Sequence, residues 1–215
     1  MPTAHASKNK LVKILLAAFA TAILLVWVGK RFAEIMQPPT PVLLSGSYLD
    51  PAMAIPAFSL VDHNGQPFDN RSLLGHWSVL FFGFTNCPGP CPDTLSVLDV
   101  FAKSLANLPS RERPHVVFIS LDAKRDSPQV MQAYVQHFNP TFIGVTGEQA
   151  ALDSLALALG LPSKVIPMDG GNYMIDHALT LLLVNPQGQV RAIFSPPHVP
   201  RALAVDYCRL ARCSM

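Results

Sequence analysis

Apolar residues along the chain fall into three kinds of pattern, and each predicts a different element. From Ile14 to Val28 no charge interrupts the run; Lys8, Lys10 and Lys13 precede it and Lys30 and Arg31 close it. A basic start ahead of an apolar stretch is either a cleaved signal or an uncleaved anchor. Counted from Leu11, with Lys13 snorkelling at the edge, the stretch nears the length of one span. Trp27 is placed like an interfacial residue, and no small-x-small cleavage site follows the run. The expectation is a short basic N-terminus over 1–13 and a transmembrane anchor over 14–30. Gln37 to Pro56 is rich in proline and lacks periodicity. It reads as a linker over 31–53, with a folded domain over 54–215.

The second pattern is the short apolar or alternating run. Phe58 to Leu60 alternates, Asp62-His63-Asn64-Gly65 signals a hairpin turn, and Phe68 falls on the returning strand. Trp77 to Phe84 and His115 to Leu121 are near-continuous apolar runs, as buried central strands require. Thr141 to Val145 and Ala178 to Val184 are two more. Asn185 to Gly188 then turns the chain into Gln189 to Phe194, an antiparallel partner.

The third pattern is helical. Leu95, Leu98, Phe101, Leu105 and Leu108 recur at three- and four-residue steps. Ser127-Pro128 places an N-cap serine before a first-turn proline. Glu148 to Leu159 ends at Gly160, a C-cap signal, and Pro200 to Cys213 forms a last helix. Leu161 to Ile175, with two prolines and Gly170-Gly171, reads as irregular. Strands alternating with helices and ending in a hairpin predict an α/β fold with a mixed sheet. A thioredoxin-like three-layer sandwich, with helices on both faces of the central sheet, is the economical arrangement.

Composition changes this picture little. Half of the 215 residues are hydrophobic, enough for a real core, and the net charge is +2. No basic stripe exists, so nothing favours nucleic acid as a partner. Four cysteines are too few for a disulfide scaffold of this length.

The chemistry concentrates at Cys87 and Cys91, between the strand ending near Phe84 and the helix that follows. A helix N-terminus presents free N–H groups and partial positive charge, which favour thiolate over thiol. The pair is one residue wider than Cys-x-x-Cys. Two cysteines four apart on a first helical turn face the same way. Pro88, Pro90 and Pro92 stiffen the loop. A preorganised thiolate pair suits a soft ion, above all Cu(I); a disulfide across the same pair is also geometrically open. An imidazole would complete a trigonal site. If the strand from Ala178 runs antiparallel to that of Trp77, His177 lies beside the cysteines. His198 is the runner-up; His63 and His76 read as solvated. A thiol–disulfide oxidoreductase would usually carry proline where Asp176-His177 stands, and a thiol peroxidase would need Thr-x-x-Cys, absent here. Cys208 and Cys213 point in different directions on an intact helix, leaving free thiols or a disulfide at a frayed end.

The stretch Phe84-Thr85-Asn86-Cys87-Pro88-Gly89-Pro90-Cys91-Pro92 resembles the copper-site motif of the Sco/SenC proteins. Three further stretches agree: Ser120 to Pro128, Phe142 to Gly147, and Tyr173-Met174-Ile175-Asp176-His177. The resemblance covers roughly Ala54 to Leu210. It departs from the family pattern at Asn86, Gly89, Pro90 and Ala178, none of which removes a ligand. It implies a membrane-tethered thioredoxin-like domain with copper bound by Cys87, Cys91 and His177. It further implies help in assembling the copper centre of cytochrome c oxidase, by metal delivery or by using Cys87 and Cys91 as a redox pair. The implied partners are the copper-bearing oxidase subunit and other copper chaperones or thiol reductants. The implied place is the bacterial periplasm, with the mitochondrial intermembrane space as the alternative.

Overall fold

The computed structural model describes residues 4–35 and 41–214. Met1–Thr3, at the start of the expected basic N-terminus, and residues 36–40 of the expected linker lie outside the described residues. Helix α1 (Ala4–Ile35) is one continuous helix that includes most of the basic segment expected to precede the anchor. Lysine is a good helix former, so the charges do not stop it. Within it, Lys13–Phe32 is a 20-residue stretch of mean hydropathy 1.8 with no buried residue, long and apolar enough to cross a membrane. Residues 41–214 form a separate compact unit.

That unit is built on an eight-stranded mixed sheet. Its strands are β1 (Gly46–Ala54), β2 (Ser59–Asp62), β3 (Pro67–Asp69), β4 (Ser78–Gly83), β5 (His115–Ser120), β6 (Ile143–Thr146), β9 (Leu181–Val184) and β10 (Gln189–Phe194). Their order is β1-β10-β9-β4-β5-β6-β2-β3. The β4–β5 and β5–β6 pairs are parallel and the other pairs antiparallel. Every residue of β4 is buried, which is why its sequence is apolar rather than alternating. Edge-side β10 alternates, as a one-sided strand should.

The connections β4-α2-β5 and β5-α3-β6, through α2 (Pro90–Ser104) and α3 (Pro128–Phe138), step the same way across the sheet. Right-handed crossovers therefore put α2 and α3 on one face. There α5 (Pro200–Ala211) packs against α2. Helix α4 (Gln149–Ala158) buries Leu152, Leu155 and Ala156. The fold is the expected thioredoxin-like sandwich, with a mixed sheet and helices on both faces.

The structure departs from the sequence reading in two segments. Gln37 to Pro56, read as linker, supplies β1, which pairs antiparallel with β10. An edge strand tolerates Pro51, because one side of the ladder needs no donor, and the register shifts between Tyr48 and Met53. Leu161 to Ile175, read as irregular, contains β7 (Lys164–Pro167) and, with Asp176, the strand β8 (Tyr173–Asp176), a two-stranded hairpin. All of β7 is exposed, so no core-facing alternation marks it. Gly170 and Gly171, at φ 73° and 77°, make the reversal.

Asp206 on α5, fully buried, anchors the segment before β1. It accepts hydrogen bonds from the Leu44 and Ser45 amides at 2.7 and 2.8 Å and from the Ser45 hydroxyl at 2.9 Å. Asp206→Ala strands these donors and should cost about 3 kcal/mol. Urea unfolding should show the lower midpoint, with proteolytic cleavage appearing before β1. The C-terminus is closed by a disulfide between Cys208 and Cys213, with Cα atoms 4.9 Å apart. The helix ends at Ala211 and Arg212 turns left-handed at φ 54°, which brings Cys213 back over the last turn. Of the two alternatives, the frayed-end disulfide is the one formed.

Candidate metal centre

Three side chains from three segments meet at one end of the sheet. Cys87 lies in the loop after β4, its amide closing a turn onto the Phe84 carbonyl at 3.2 Å. Cys91 sits in the first turn of α2, after Pro90. Strand β9 runs antiparallel to β4 with Phe81 opposite Leu181, so the segment entering β9 passes the C-terminal tip of β4. His177, directly after β8, is on that segment. The two sulfurs and a ring nitrogen of His177 lie within 4.8 Å of one another. Cys91 Sγ is 3.5 Å from His177 Nε2, and the Cys91 amide points at Cys87 Sγ at 3.4 Å. Both thiols are free.

The histidine turns its Nε2 toward the sulfurs. Its Nδ1 is 3.0 Å from the Ala178 carbonyl. A carbonyl only accepts, so Nδ1 carries the proton and the Nε2 lone pair faces the sulfurs. The rings of Phe84 and Phe81 flank it, with centroids 5.8 and 6.5 Å away. Burial holds the imidazole below its ordinary value, keeping it neutral. An open depression of about 450 Å³, lined by Pro162, Ser163, Lys164, Asp176, His177 and Ala178, reaches this ring from solvent.

His198, the other candidate, donates from Nε2 to the Leu179 carbonyl at 2.7 Å and stays outside the cluster. His63 accepts the Gly144 amide on Nδ1.

The sulfurs differ from the sequence expectation in one respect. The start of α2 should favour thiolate, yet Cys91 is fully buried. Burial pushes its thiol up, and a backbone hydrogen bond from Phe84 only partly opposes this. Desolvation therefore works against the preference that the helix start supplies.

Several supporting residues lie outside the candidate ligand set. Gly83 ends β4 under the site. A Cβ there would stand 2.7 Å from Phe118 Cε2 and 2.9 Å from Cys91 Sγ. Gly83→Ala must therefore push both aside and should cost about 1–3 kcal/mol. Urea unfolding together with thiol alkylation rates should show destabilisation and a more reactive Cys91. A lone glycine at the end of an apolar strand was the available signal.

Asp126 and Asp122, on the loop after β5, tie the site together. Buried Asp126 takes hydrogen bonds from the Thr85 hydroxyl at 2.6 Å and the Ser120 hydroxyl at 2.7 Å. Burial raises its carboxyl despite these donors. Asp122 accepts from the Tyr173 hydroxyl at 2.7 Å and pairs with Arg125. The Arg125 guanidinium lies 3.8 Å from the Tyr173 ring centroid and 5.6 Å from that of Phe84. Together these contacts fasten β8, which leads into His177, to the end of the cysteine strand.

A family model described as SCO1/SenC matches residues 47–212. The chain belongs to the SCO1/SenC family. Among its relatives is a candidate copper-binding protein of Stutzerimonas stutzeri, 41% identical over 146 residues, covering 67% of this chain and 70% of that protein. The mitochondrial SCO2 homologue of Danio rerio is 39% identical over 136 residues, but this SCO1/SenC chain spans only 47% of it. In structure, Arabidopsis thaliana ScoI with copper bound superimposes with a TM-score of 0.69 at 29% identity. That match covers 74% of this SCO1/SenC chain and 99% of the other.

Proposed function

We propose that this protein is a membrane-tethered copper carrier that holds its cargo through Cys87, Cys91 and His177 and serves assembly of the copper centre of a cytochrome c oxidase. The observation that carries the reading is the convergence of two free sulfurs and one oriented imidazole within 4.8 Å. Thiolate and imidazole are the donors a soft or borderline ion prefers, and Cu(I) fits two sulfurs and a nitrogen well. Membership of a family with copper-bound structures points the same way. The copper-bearing subunit of the oxidase is the recipient, and other copper chaperones or thiol reductants load or reset the site.

Tethering rests on the apolar helix stretch Lys13–Phe32. The Cys208–Cys213 disulfide fits an oxidising compartment, which we assign as the bacterial periplasm.

The adjacency of the two thiols also favours a second reading, reduction of the recipient's cysteines. One sulfur would attack the recipient disulfide as thiolate and the other would resolve the mixed disulfide. Two electrons pass to the recipient, and Cys87 and Cys91 are left joined.

One titration tests the carrier reading. The full chain in detergent, reduced or oxidised with diamide, is titrated with Cu(I) against a chromophoric chelator. The reduced chain should take up one Cu(I) and the oxidised chain none. Equal uptake by both would overturn the sulfur-based site. Stoichiometric thiol release from a disulfide-bonded recipient peptide by the copper-free chain would establish the second reading.

A further inference from the structure

Helix α5 is two-faced. Leu203, Asp206 and Tyr207 point into the core. Arg201, Ala204, Val205, Cys208 and Arg209, at steps of three and four, share the outer face. That face and the last turns of α2 border an open groove of about 710 Å³. Val100, Leu105 and Leu108 give the groove apolar walls, Arg201 and Arg209 line it as well, and no carboxylate does. Both arginines are exposed, as is Arg212 just past the helix. Asp206 lies 3.8 Å from Arg209 but is fully buried and already accepts from the Leu44 and Ser45 amides. Glu112, beside the chain end, is matched by Arg111 and held by Ser214.

The segment that comes from the apolar helix enters the folded unit along this same helix. Arg209 donates to the Val42 carbonyl at 2.8 Å, and Asp206 holds Leu44 and Ser45. Leu43 packs on the core, which turns its neighbours Val42 and Leu44 outward, 82% and 61% exposed. Phe32, the last residue of the apolar stretch, precedes Val42 by ten residues, which reach at most about 35 Å. Given the membrane tether assigned to Lys13–Phe32, on which this rests, we propose that the α2–α5 groove face, with Val42 and Leu44, docks on the anionic lipid headgroups of the membrane that holds the chain. Arg201, Arg209 and Arg212, with no exposed acid among the groove residues, suit lipid phosphate. Their apolar neighbours suit the boundary just below the headgroups. The short tether keeps the face at high local concentration beside the bilayer. Cys91 stands at the other end of α2 from the groove, and from Cys91 to Ser104 the helix rises about 20 Å. Docking through this face therefore leaves the copper centre clear of lipid and open to a recipient.

The experiment uses the full chain in lipid nanodiscs of phosphatidylcholine alone or mixed with phosphatidylglycerol, each doped with a lipid that carries a headgroup nitroxide. Amide NMR reads which residues the label broadens. In the anionic discs broadening should be strongest at Val42, Leu44, Arg201, Val205 and Arg209 and weak at Cys87, Cys91 and His177. It should fade in the zwitterionic discs, and at about 1 M salt, where charge is screened within about 3 Å. Arg201→Gln removes an exposed charge and should lower the docked-to-free ratio by about fivefold. Val205→Asp, which sets a carboxylate on the same face, should lower it as well. The salt and lipid series on the unsubstituted chain decide the matter even if a variant folds poorly. Even broadening over the whole folded unit, or a maximum at Cys87 and His177, overturns the docking face and leaves the tether standing. Signals on this face that follow chain concentration and ignore lipid charge would give it to a second copy and overturn the proposal likewise. Release of the chain from vesicles by alkaline carbonate would instead overturn the tether, and the docking with it.

Discussion

Cys91→Ser will cost this chain its Cu(I), with affinity falling by more than about 100-fold, while His177→Ala will lower it by about 10–100-fold. Loss of a partner that merely orients a ligand already weakens metal sites 10–100-fold, so loss of a sulfur should exceed that range. Serine offers a hard, protonated oxygen in place of the soft donor that Cu(I) prefers. Cys91 is the more severe loss because it sits at the centre of the cluster. Its sulfur is 3.5 Å from His177 Nε2, and its amide faces the Cys87 sulfur. It is fully buried, so water does not readily take its place. His177 stands at the solvent side, beside the open depression, and a water or a recipient's ligand can substitute for it there. Competition against a Cu(I) chelator measures both changes, and urea unfolding of each variant separates ligand loss from misfolding. Unchanged affinity in His177→Ala would reduce the centre to its two sulfurs.

Much of this arrangement was legible in the sequence because burial writes itself into pattern. The unbroken apolar run at β4 and the three-four spacing along α2 flank the cysteine loop, and these two elements determine where Cys87 and Cys91 stand. The antiparallel return of β9 could be inferred from chain order, and it is what brings His177 within reach of them. What stayed hidden was structure that buries little or tolerates the wrong residue. β1 carries a proline and hides at an edge; β7 is exposed throughout, so the hairpin that leads to His177 looked like loop. The fastening of that hairpin by Asp122, Arg125 and Tyr173 joins residues about 50 positions apart. No local spacing encodes such a contact. Competition between opposing effects was the other limit. Position at a helix start argued for a thiolate at Cys91, and only the structure shows the burial that raises its pKa instead.

That outcome fixes how copper affinity should depend on pH. Burial keeps Cys91 protonated in the copper-free chain across the neutral range, whereas only the thiolate binds metal. The copper-free state therefore holds at least one proton more than the copper-loaded state. Mass action then requires affinity to rise with pH, tenfold per unit for each proton released. From pH 6 to pH 8 the gain should be at least about 100-fold. His177 adds nothing to this slope, because burial lowers its pKa and leaves the ring neutral over most of that window. The measurement is chelator competition at each pH, corrected for the chelator's own protonation, with proton release counted directly in weakly buffered solution. Cys91→Ser should remove one proton from the count. A flat affinity profile with no proton release would mean that Cys91 is already ionised at pH 6. The helix terminus and the Phe84 amide would then outweigh burial, and the centre would be charged before its cargo arrives.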